Sequence, residues 1–391
     1  MRGHIAKKGS RYYAVIYEGI DPATGKGRHR WHAAGSTRKE AERLLANLVK
    51  SHHDGDYRAP EKITLDEYLE RWLPTQRQPL AASTFSSYQR NIRLHVIPYI
   101  GAIPIQRLTP EDLDNLYAQL LSTGRRNKNG GTLSPKTVRL VHSVIHKALA
   151  DAHRKGSVAR NVADLADPPK ISTRSRPKMK VWNADELRHF FEAIEDHDLY
   201  AAFYVKANTG MRRGEVLGLT WRVIDFDNSR LSVTQTVTAP DYQLVVSDVK
   251  SAHSLRTIDL DARTVAVLRS WRKRQLETYL RTGVRTDDTG FVFARPDGSP
   301  LHPDHYSQAF ERLIAKMDLP RIRLHDMRHT HATLLLKAGV PIKVVSERLG
   351  HASVAFTMQV YQHVLPGMQA DAAATFSDVV FGELRGEEGS R

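Results

Sequence analysis

Helix-start signals recur along the chain, and they constrain its fold more than any other feature of the sequence. A Ser, Thr or Asn is followed either by proline at the next position or by Glu three residues later, and an apolar-periodic stretch then begins. The starts are Thr37, Thr64, Thr109, Ser134 and Asn183. Because helices begin so often and only short strand-like runs separate them, we expect a mainly α protein with small antiparallel sheets, in the α+β class.

The N-terminal segment, residues 1–58, is expected to form a small sheet with one helix. Residues 11–18 and 28–32 are rich in β-branched and aromatic side chains, which favours strands, and the helix begins at Thr37. The first 60 residues contain twelve Lys or Arg against six Asp or Glu. The charge indicates an accessory DNA-binding module, although a basic, solvated N-terminal cap is the alternative.

The remaining chain divides by composition into four further segments. Four predicted helices make residues 62–167 a compact helical domain, which could by itself serve almost any purpose. Residues 168–180 are basic and contain proline, so they are interpreted as a linker that either lies along phosphates or is simply an exposed hinge. Residues 181–381 mix helices with strand-like runs at 231–237, 242–246 and 255–260, which are expected to pair as one small antiparallel sheet. The Gly- and Glu-rich residues 382–391 are expected to be a disordered tail.

Charge and composition narrow the class of function. The chain has 58 Lys and Arg against 43 Asp and Glu, a formal net charge of +15, which favours a polyanionic partner because bound phosphates release condensed counterions. Ribosomal, RNA-binding and membrane-surface proteins share this property. The absence of cysteine excludes disulfides and thiol chemistry. Without a membrane-length apolar stretch or a secretory signal, a cytoplasmic location and no membrane partner are expected.

Four short, widely separated segments carry the residues suited to phosphoryl transfer. Charge builds on the non-bridging phosphate oxygens in the transition state, and arginine meets it with two parallel hydrogen bonds. A tyrosine nucleophile needs help to lose its proton, and the leaving alkoxide needs a proton donor such as lysine. The segments are 209–221, 248–260, 324–340 and 349–364, and their candidates are Arg212, Arg213, Glu215, Lys250, His325, Arg328, His351 and Tyr361.

A metal site is the competing interpretation of the histidines. His325 and His329 have the i, i+4 spacing of zinc helices, but Asp326 stands where the H-E-x-x-H motif has Glu. These four segments also contain no acidic D-x-D-like cluster that could hold Mg²⁺. We therefore expect chemistry that needs neither a metal nor a nucleotide, and no cofactor.

These segments together resemble the tyrosine recombinase, or phage integrase, family. The matching motifs are T-G-x-R-x-x-E at 209–215, a hairpin lysine at 250, H-x-x-R at 325–328, L-G-H at 349–351 and a tyrosine at 361, all in family order. The resemblance implies a mixed catalytic domain within 181–381 and a core-site DNA-binding domain at 62–167. It also implies an arm-type DNA-binding domain at 1–58, which depends on pattern and charge alone.

The resemblance implies roles for the phosphate-binding residues. Arg212 and Arg328 would bind the scissile phosphate. Arg213 competes with Arg212 within its segment, and the family spacing to Glu215 selects Arg212. Glu215 would then be a structural partner that orients the site.

The same resemblance implies how bonds are exchanged. Tyr361 would form a 3′-phosphotyrosyl link, and Lys250 would protonate the departing 5′-hydroxyl. His325 would assist proton transfer and phosphate binding, while His351 would hydrogen-bond the same phosphate. The link retains the bond energy, so a second strand can reverse the chemistry without ATP.

The implied partners are double-stranded DNA attachment sites and further copies of the chain. The family assembles as a tetramer in the synapse, with a C-terminal helix, here near 369–380, docked either on a neighbour or on its own domain. A DNA-bending protein and a directionality factor are further candidate partners, and the expected location is the bacterial cytoplasm, associated with the nucleoid. The leading hypothesis is an integrase of a phage or integrative element. A chromosome-dimer resolvase or topoisomerase-like enzyme and a non-catalytic DNA-binding regulator on the same fold are the alternatives.

Overall fold

The structure is a computed structural model whose contacts divide the chain into two units, Met1–Ser175 and Arg176–Arg391. Of the whole chain, it describes residues 3–20, 25–53, 63–124, 130–171, 179–249, 254–285, 287–361, 373–374, 376–377, 380 and 382. Within these residues, none of the helices combines the length and the apolar character needed to cross a bilayer. The α+β class is confirmed, since helices dominate and the sheets are small and antiparallel.

The first unit begins with a three-stranded antiparallel sheet covered by one helix. The strands, in the spatial order β1-β2-β3, are β1 (Gly3–Lys8), β2 (Arg11–Ile20) and β3 (Gly27–Gly35), and the helix is α1 (Arg38–His53). The predicted capping box is present, because the Glu40 carboxylate accepts the Thr37 backbone N–H at 3.0 Å. The sequence missed β1, whose lysines and glycine lack the composition of a strand.

A helical bundle follows, and its predicted starts are confirmed at Thr64, Thr109 and Ser134. Helix α3 ends at His95, and Pro98 lies in the first turn of α4, where a backbone N–H would have no partner within the helix. The helices are α2 (Leu65–Trp72), α3 (Ala82–His95), α4 (Ile97–Ile100), α5 (Pro110–Thr123) and α6 (Pro135–Arg154). The predicted boundary between 58 and 62 falls outside the described residues, so the division of this unit stays a prediction.

The second unit is built around buried aromatic side chains. Phe203 stacks on Tyr306 with ring centroids 4.8 Å apart, and Phe190, Phe310 and Trp182 complete the cluster. Its helices are α7 (Ala184–Ala193), α8 (Tyr200–Thr209), α9 (Arg213–Leu217), α10 (Ala262–Thr282), α11 (Pro303–Ile314), α12 (Asp326–Lys337), α13 (Ile342–Leu349) and α14 (Val354–Tyr361). The predicted C-terminal helix near 369–380 and the tail 382–391 lie largely outside the described residues.

The strand-like runs at 231–237, 242–246 and 255–260, predicted to form one sheet, belong to two. The first run splits at Thr234, and its halves pair with different partners. One sheet has the order β4-β5-β8, with β4 (Ile224–Asp225), β5 (Arg230–Val233) and β8 (Arg256–Asp259), and the other pairs β6 (Gln235–Thr238) with β7 (Val245–Asp248). The predicted pairing was wrong because local alternation identifies a strand but not its partner.

A buried carboxylate ties the first and last helices of the bundle together. Asp151 is 5% exposed, and it accepts hydrogen bonds from Trp72 Nε1 at 3.0 Å, Lys147 Nζ at 3.0 Å and Arg154 Nη2 at 2.8 Å. Burial would raise the pKa of Asp151, but these three donors outweigh it and lower the pKa below its usual value.

We expect Asp151→Ala to lower the local unfolding free energy of the bundle by about 2–3 kcal/mol, because it strands a buried indole N–H. Trp72→Phe, which removes one donor and leaves the carboxylate paired with two cations, should cost about 1 kcal/mol. Hydrogen exchange of peptides from α2 and α6 in the full chain measures both losses. Equal losses in the two variants would contradict the central place given to the carboxylate.

Candidate active site

The first arginine-bearing segment is shaped by a glycine that ends α8. Gly210 adopts a left-handed conformation with φ 66°, and a Cβ there would lie 2.7 Å from side-chain atoms of both His331 and Leu349. Glycine is therefore required on both steric and conformational grounds. The turn places Arg212 at the N-cap of α9, half-exposed at the surface of the unit.

The Glu215 carboxylate accepts hydrogen bonds from two arginines of the site. Its Oε1 accepts Arg212 Nη1 at 2.7 Å, its Oε2 accepts the Arg212 backbone N–H at 2.9 Å, and the same Oε2 accepts Arg256 Nη2 at 2.9 Å. Burial would raise the pKa of Glu215, but the hydrogen bond and charge of Arg256, joined by those of Arg212, lower it to about 2. Glu215 therefore stays ionised, holds two cations and is a poor proton acceptor.

Arg256, which the sequence analysis did not single out, links three parts of the site. Its side chain is 7% exposed and donates to Glu215, to the Arg348 carbonyl at 2.8 Å and to the Ser254 carbonyl at 3.1 Å. In the sequence, Arg256 is recognisable only as an arginine at the start of a strand, six residues after Lys250. Nothing local indicated that its partner would be an acid 41 residues earlier.

Arg213, the competing candidate, is occupied elsewhere. Its Nη1 donates to the Pro303 carbonyl at 3.1 Å, to Asp304 Oδ1 at 3.2 Å and to Ser307 Oγ at 2.8 Å, all on α11. Arg213 is thus held against α11, and the choice of Arg212 as the phosphate-binding arginine stays a prediction.

Arg328 is buried on α12, and its guanidinium is only partly hydrogen-bonded to the described residues. The residue is 2% exposed, and its Nη1 donates to the Gly210 carbonyl at 2.8 Å. Its Nη2 is buried and has no hydrogen-bond partner among the described residues. Burial, and then the charge of Arg212, lower the pKa of Arg328 to about 9, so the guanidinium remains charged at neutral pH. A buried cationic donor without a partner is costly unless a ligand completes it.

The two predicted histidines lie in the positive field of these arginines. Desolvation, then the charges of Arg328 and Arg212, lower the pKa of His351 to about 3. Its Nδ1 is 2.7 Å from Thr357 Oγ1, which fixes the ring at the start of α14. Desolvation by surrounding protein atoms, and then His329, lower the pKa of His325 to about 4. Both rings are therefore neutral near pH 7.

Tyr361, at the end of α14, is fully buried, and its hydroxyl lies 2.8 Å from His329 Nδ1. Burial raises the pKa of Tyr361 to about 12, although the charge of Arg328 acts to lower it. The sequence analysis weighed His329 only as a metal ligand. In the described part of the chain, no group of three or more His, Asp or Glu side chains is placed to hold a metal ion.

A second residue that the sequence analysis missed is Lys206 on α8. It is fully buried, and its Nζ donates to the Met211 carbonyl at 2.9 Å. This hydrogen bond stabilises the turn before Arg212. Burial, and then the charge of Arg328, lower the pKa of Lys206 to about 7. The predicted catalytic lysine, Lys250, lies between β7 and β8, outside the described residues.

Two family models match the chain over the regions just described. The model of the phage integrase family matches residues 180–367, and a model of the N-terminal SAM-like domain of phage integrases matches residues 64–121. Together they span more than half of the chain.

Curated relatives match along nearly the whole length. The ICEBs1 integrase of Bacillus subtilis is 28% identical over 372 residues, covering 95% of this chain and 98% of the relative. A XerC-like tyrosine recombinase of Caldanaerobacter subterraneus is 27% identical over 401 residues, covering 96% of this chain and 98% of the relative. An integrase of Streptomyces ambofaciens is 28% identical and covers 94% of each chain.

Solved structures share the fold. The integrase of transposon Tn1549, in complex with a circular intermediate DNA, aligns with a TM-score of 0.64 at 20% identity, covering 80% of this chain and 99% of that one. A lambda integrase dimer bound to a core site aligns with a TM-score of 0.55 at 18% identity, covering 91% and 93%. The motifs, the family models and the relatives agree, and the chain therefore belongs to the phage integrase family and is a tyrosine-type site-specific recombinase.

Proposed function

We propose that this recombinase integrates and excises a mobile DNA element by cutting and rejoining strands at double-stranded attachment sites. The observation that carries the proposal is the convergence on the buried guanidinium of Arg328 of Arg212, from one distant segment, and of His351 and Tyr361, from another. The Nη2 of Arg328, which has no partner in the described part of the chain, is a cationic donor suited to a phosphate oxygen. The relatives named integrases support the same biological role.

In this proposal Arg212 and Arg328 bind the scissile phosphate, and Glu215 supports them. Arg212 also donates from Nη2 to the Gly350 carbonyl at 3.1 Å, so its guanidinium is held from two sides before DNA arrives. Preorganised charge of this kind favours the transition state because no reorganisation is needed at the moment of reaction.

The remaining roles complete the exchange. Tyr361 attacks the phosphorus and forms a 3′-phosphotyrosyl link, while Lys250 protonates the departing 5′-oxygen. His325 and His351, neutral near pH 7, hydrogen-bond the same phosphate without adding to the repulsion among the cations. A 5′-hydroxyl from a second strand then reverses the step, and the retained bond energy makes ATP unnecessary.

The assembly proposed is a tetramer on paired DNA sites, and lambda integrase has been seen as a tetramer on a Holliday junction. A DNA-bending protein and a directionality factor are proposed as further partners. Residues 62–167 would bind core sites, and the catalytic domain would occupy 181–381 after the linker 168–180.

Residues 1–58 are proposed to bind separate arm-type sites. The sheet carries Trp31, which is 51% exposed, and exposed basic residues such as Lys7 and Arg11, and a sheet of this size can enter a DNA groove. Deleting residues 1–58 should therefore remove footprints outside the core sites while sparing cleavage at them. Loss of the core-site footprint in the deletion would contradict this division.

The chemical proposal is tested by trapping the covalent intermediate. With a nicked duplex spanning an attachment site, in EDTA, wild type should give a denaturant-resistant protein–DNA adduct, whereas Tyr361→Phe should bind the duplex and give none. Tyr242→Phe is the matched control, because Tyr242 is 81% exposed and its hydroxyl can be removed at the surface. An adduct with Tyr361→Phe would contradict the nucleophile. Unchanged biological activity of that variant would favour a regulator that acts by occupancy.

Neighbouring arginines provide a second test. Arg212→Lys should lower the single-turnover cleavage rate about 10²–10³-fold, because lysine cannot replace a planar, two-pronged donor. Arg213→Lys should change the rate only a few-fold and instead lower stability by about 1 kcal/mol, since it weakens contacts to α11. Both variants should bind DNA with near wild-type affinity in a gel-shift assay. The reverse order of rate losses would assign the phosphate contact to Arg213.

A further inference from the structure

Tyr361, the nucleophile of the proposed function, contacts His329, a residue to which that function gives no role. His329 Nδ1 lies 2.8 Å from the Tyr361 hydroxyl, and the two rings have centroids 5.7 Å apart. Both residues belong to the interior, since Tyr361 is fully buried and His329 is partly buried. Water is therefore poorly placed to take the phenolic proton.

From this geometry we propose that His329 is a catalytic residue, the general base that accepts the proton of Tyr361 as the tyrosine attacks the scissile phosphate. The inference rests on the proposed function. In the step, the Tyr361 Oη–phosphorus bond forms and the phosphorus–O5′ bond breaks. The phenolic proton moves to His329 Nδ1, and the 5′-oxygen takes a proton from Lys250. In the reverse step, His329 returns its proton to the departing tyrosine.

The direction of the hydrogen bond follows from the chemistry of its two ends. A neutral imidazole nitrogen is a stronger acceptor than a phenol oxygen, and a phenol is the stronger donor. We therefore assign the Tyr361 O–H as donor and place the imidazole proton on Nε2. Burial lowers the pKa of His329, so Nδ1 is free to accept near pH 7.

The charged groups around His329 suit a base that is charged only during the reaction. Burial, and then the charges of Arg328, Arg323 and Lys206, disfavour the imidazolium in the resting state. His325 and His351 interact with the same ring but are neutral near pH 7. Asp326 acts in the opposite sense and supports the imidazolium. A phosphate bound at Arg328 would add negative charge at the moment the proton arrives.

Three other acceptors in the described residues, Glu215, Asp326 and His351, are poorly suited to the task. Glu215 is ionised and held by two arginines, with its pKa lowered to about 2. Asp326 accepts the Arg323 backbone N–H at 2.9 Å and two bonds from its guanidinium, at 2.8 and 3.0 Å. His351 directs its Nδ1 to Thr357. In the described part of the chain, the hydrogen-bond partner found for the Tyr361 hydroxyl is His329.

The test is single-turnover cleavage by the full chain, at saturating protein, of a duplex with a bridging sulfur at the 5′ position. The 5′-thiolate of this duplex leaves without needing a proton. The cleavage rate therefore depends on deprotonation of Tyr361 and not on protonation of the leaving group by Lys250. His329→Asn is the key variant, because its Oδ1 can still accept the hydroxyl but cannot take the proton. His329→Ala, with and without imidazole in the buffer, gives a second, independent variant.

We expect both variants to bind DNA as wild type does and to cleave about 10²-fold more slowly at pH 7. Between pH 7 and 9 the rate of the variants should rise about tenfold per pH unit, because the tyrosine must then ionise unaided, whereas the wild-type rate should stay nearly flat. Imidazole should restore part of the rate of His329→Ala.

Two results would overturn the inference. One is a wild-type rate for His329→Asn at pH 7, which would reduce His329 to a positioning residue. The other is the same pH dependence in wild type and both variants. Neither result affects the proposed function, whose own failure would be recognised by the absence of any adduct with wild type.

Discussion

The ionised carboxylate of Glu215 is the interaction on which the rest of the site depends. It is nearly inaccessible, yet it holds Arg212 at the surface and Arg256 in the interior. Without it, Arg256 would be a buried cation with only carbonyl partners, which costs several kcal/mol. Because Arg256 also reaches the carbonyls of Ser254 and Arg348, the same carboxylate aligns the end of the Lys250 segment with the turn before His351. Preorganisation of the site therefore begins with an acid that takes no part in the chemistry.

An excess of buried positive charge follows from this arrangement, and it influences the protonation of the neighbours. Burial, joined by the charge of Arg328, keeps His325 and His351 neutral and lowers the pKa of Lys206 to about 7. Among the described residues the Nη2 of Arg328 has no partner, which would cost about 1–3 kcal/mol. In the proposed function that cost is offset when a phosphate binds. Such local violations of good packing are expected where a protein binds or reacts.

The sequence predicted the helix starts and the recombinase motifs well, because capping boxes and motif spacing are local properties. The starts at Thr64, Thr109 and Asn183 are all present. It failed where the partners of a residue are distant in the chain. The strands form two sheets instead of the one predicted, and the spacing of residues could not show that Arg256 pairs with Glu215 or that His329 contacts Tyr361. Lys206 was overlooked because its apolar neighbours indicate a buried helix without indicating what its amine would contact. The roles of the candidate residues and the domain boundaries stay predictions.

The hydrogen bonds of Glu215 preorganise the arginines for a phosphate at Arg328, and a structure with a transition-state mimic tests this most directly. Vanadate would be bound between Tyr361 and a cleaved attachment-site duplex, and the contacts of its equatorial oxygens determined. We predict that Arg328 Nη2 and Arg212 each contact an equatorial oxygen while Glu215 still accepts from Arg212 and Arg256. A complex in which Arg212 has left Glu215, or in which Arg328 Nη2 faces away from the vanadate, would contradict the account.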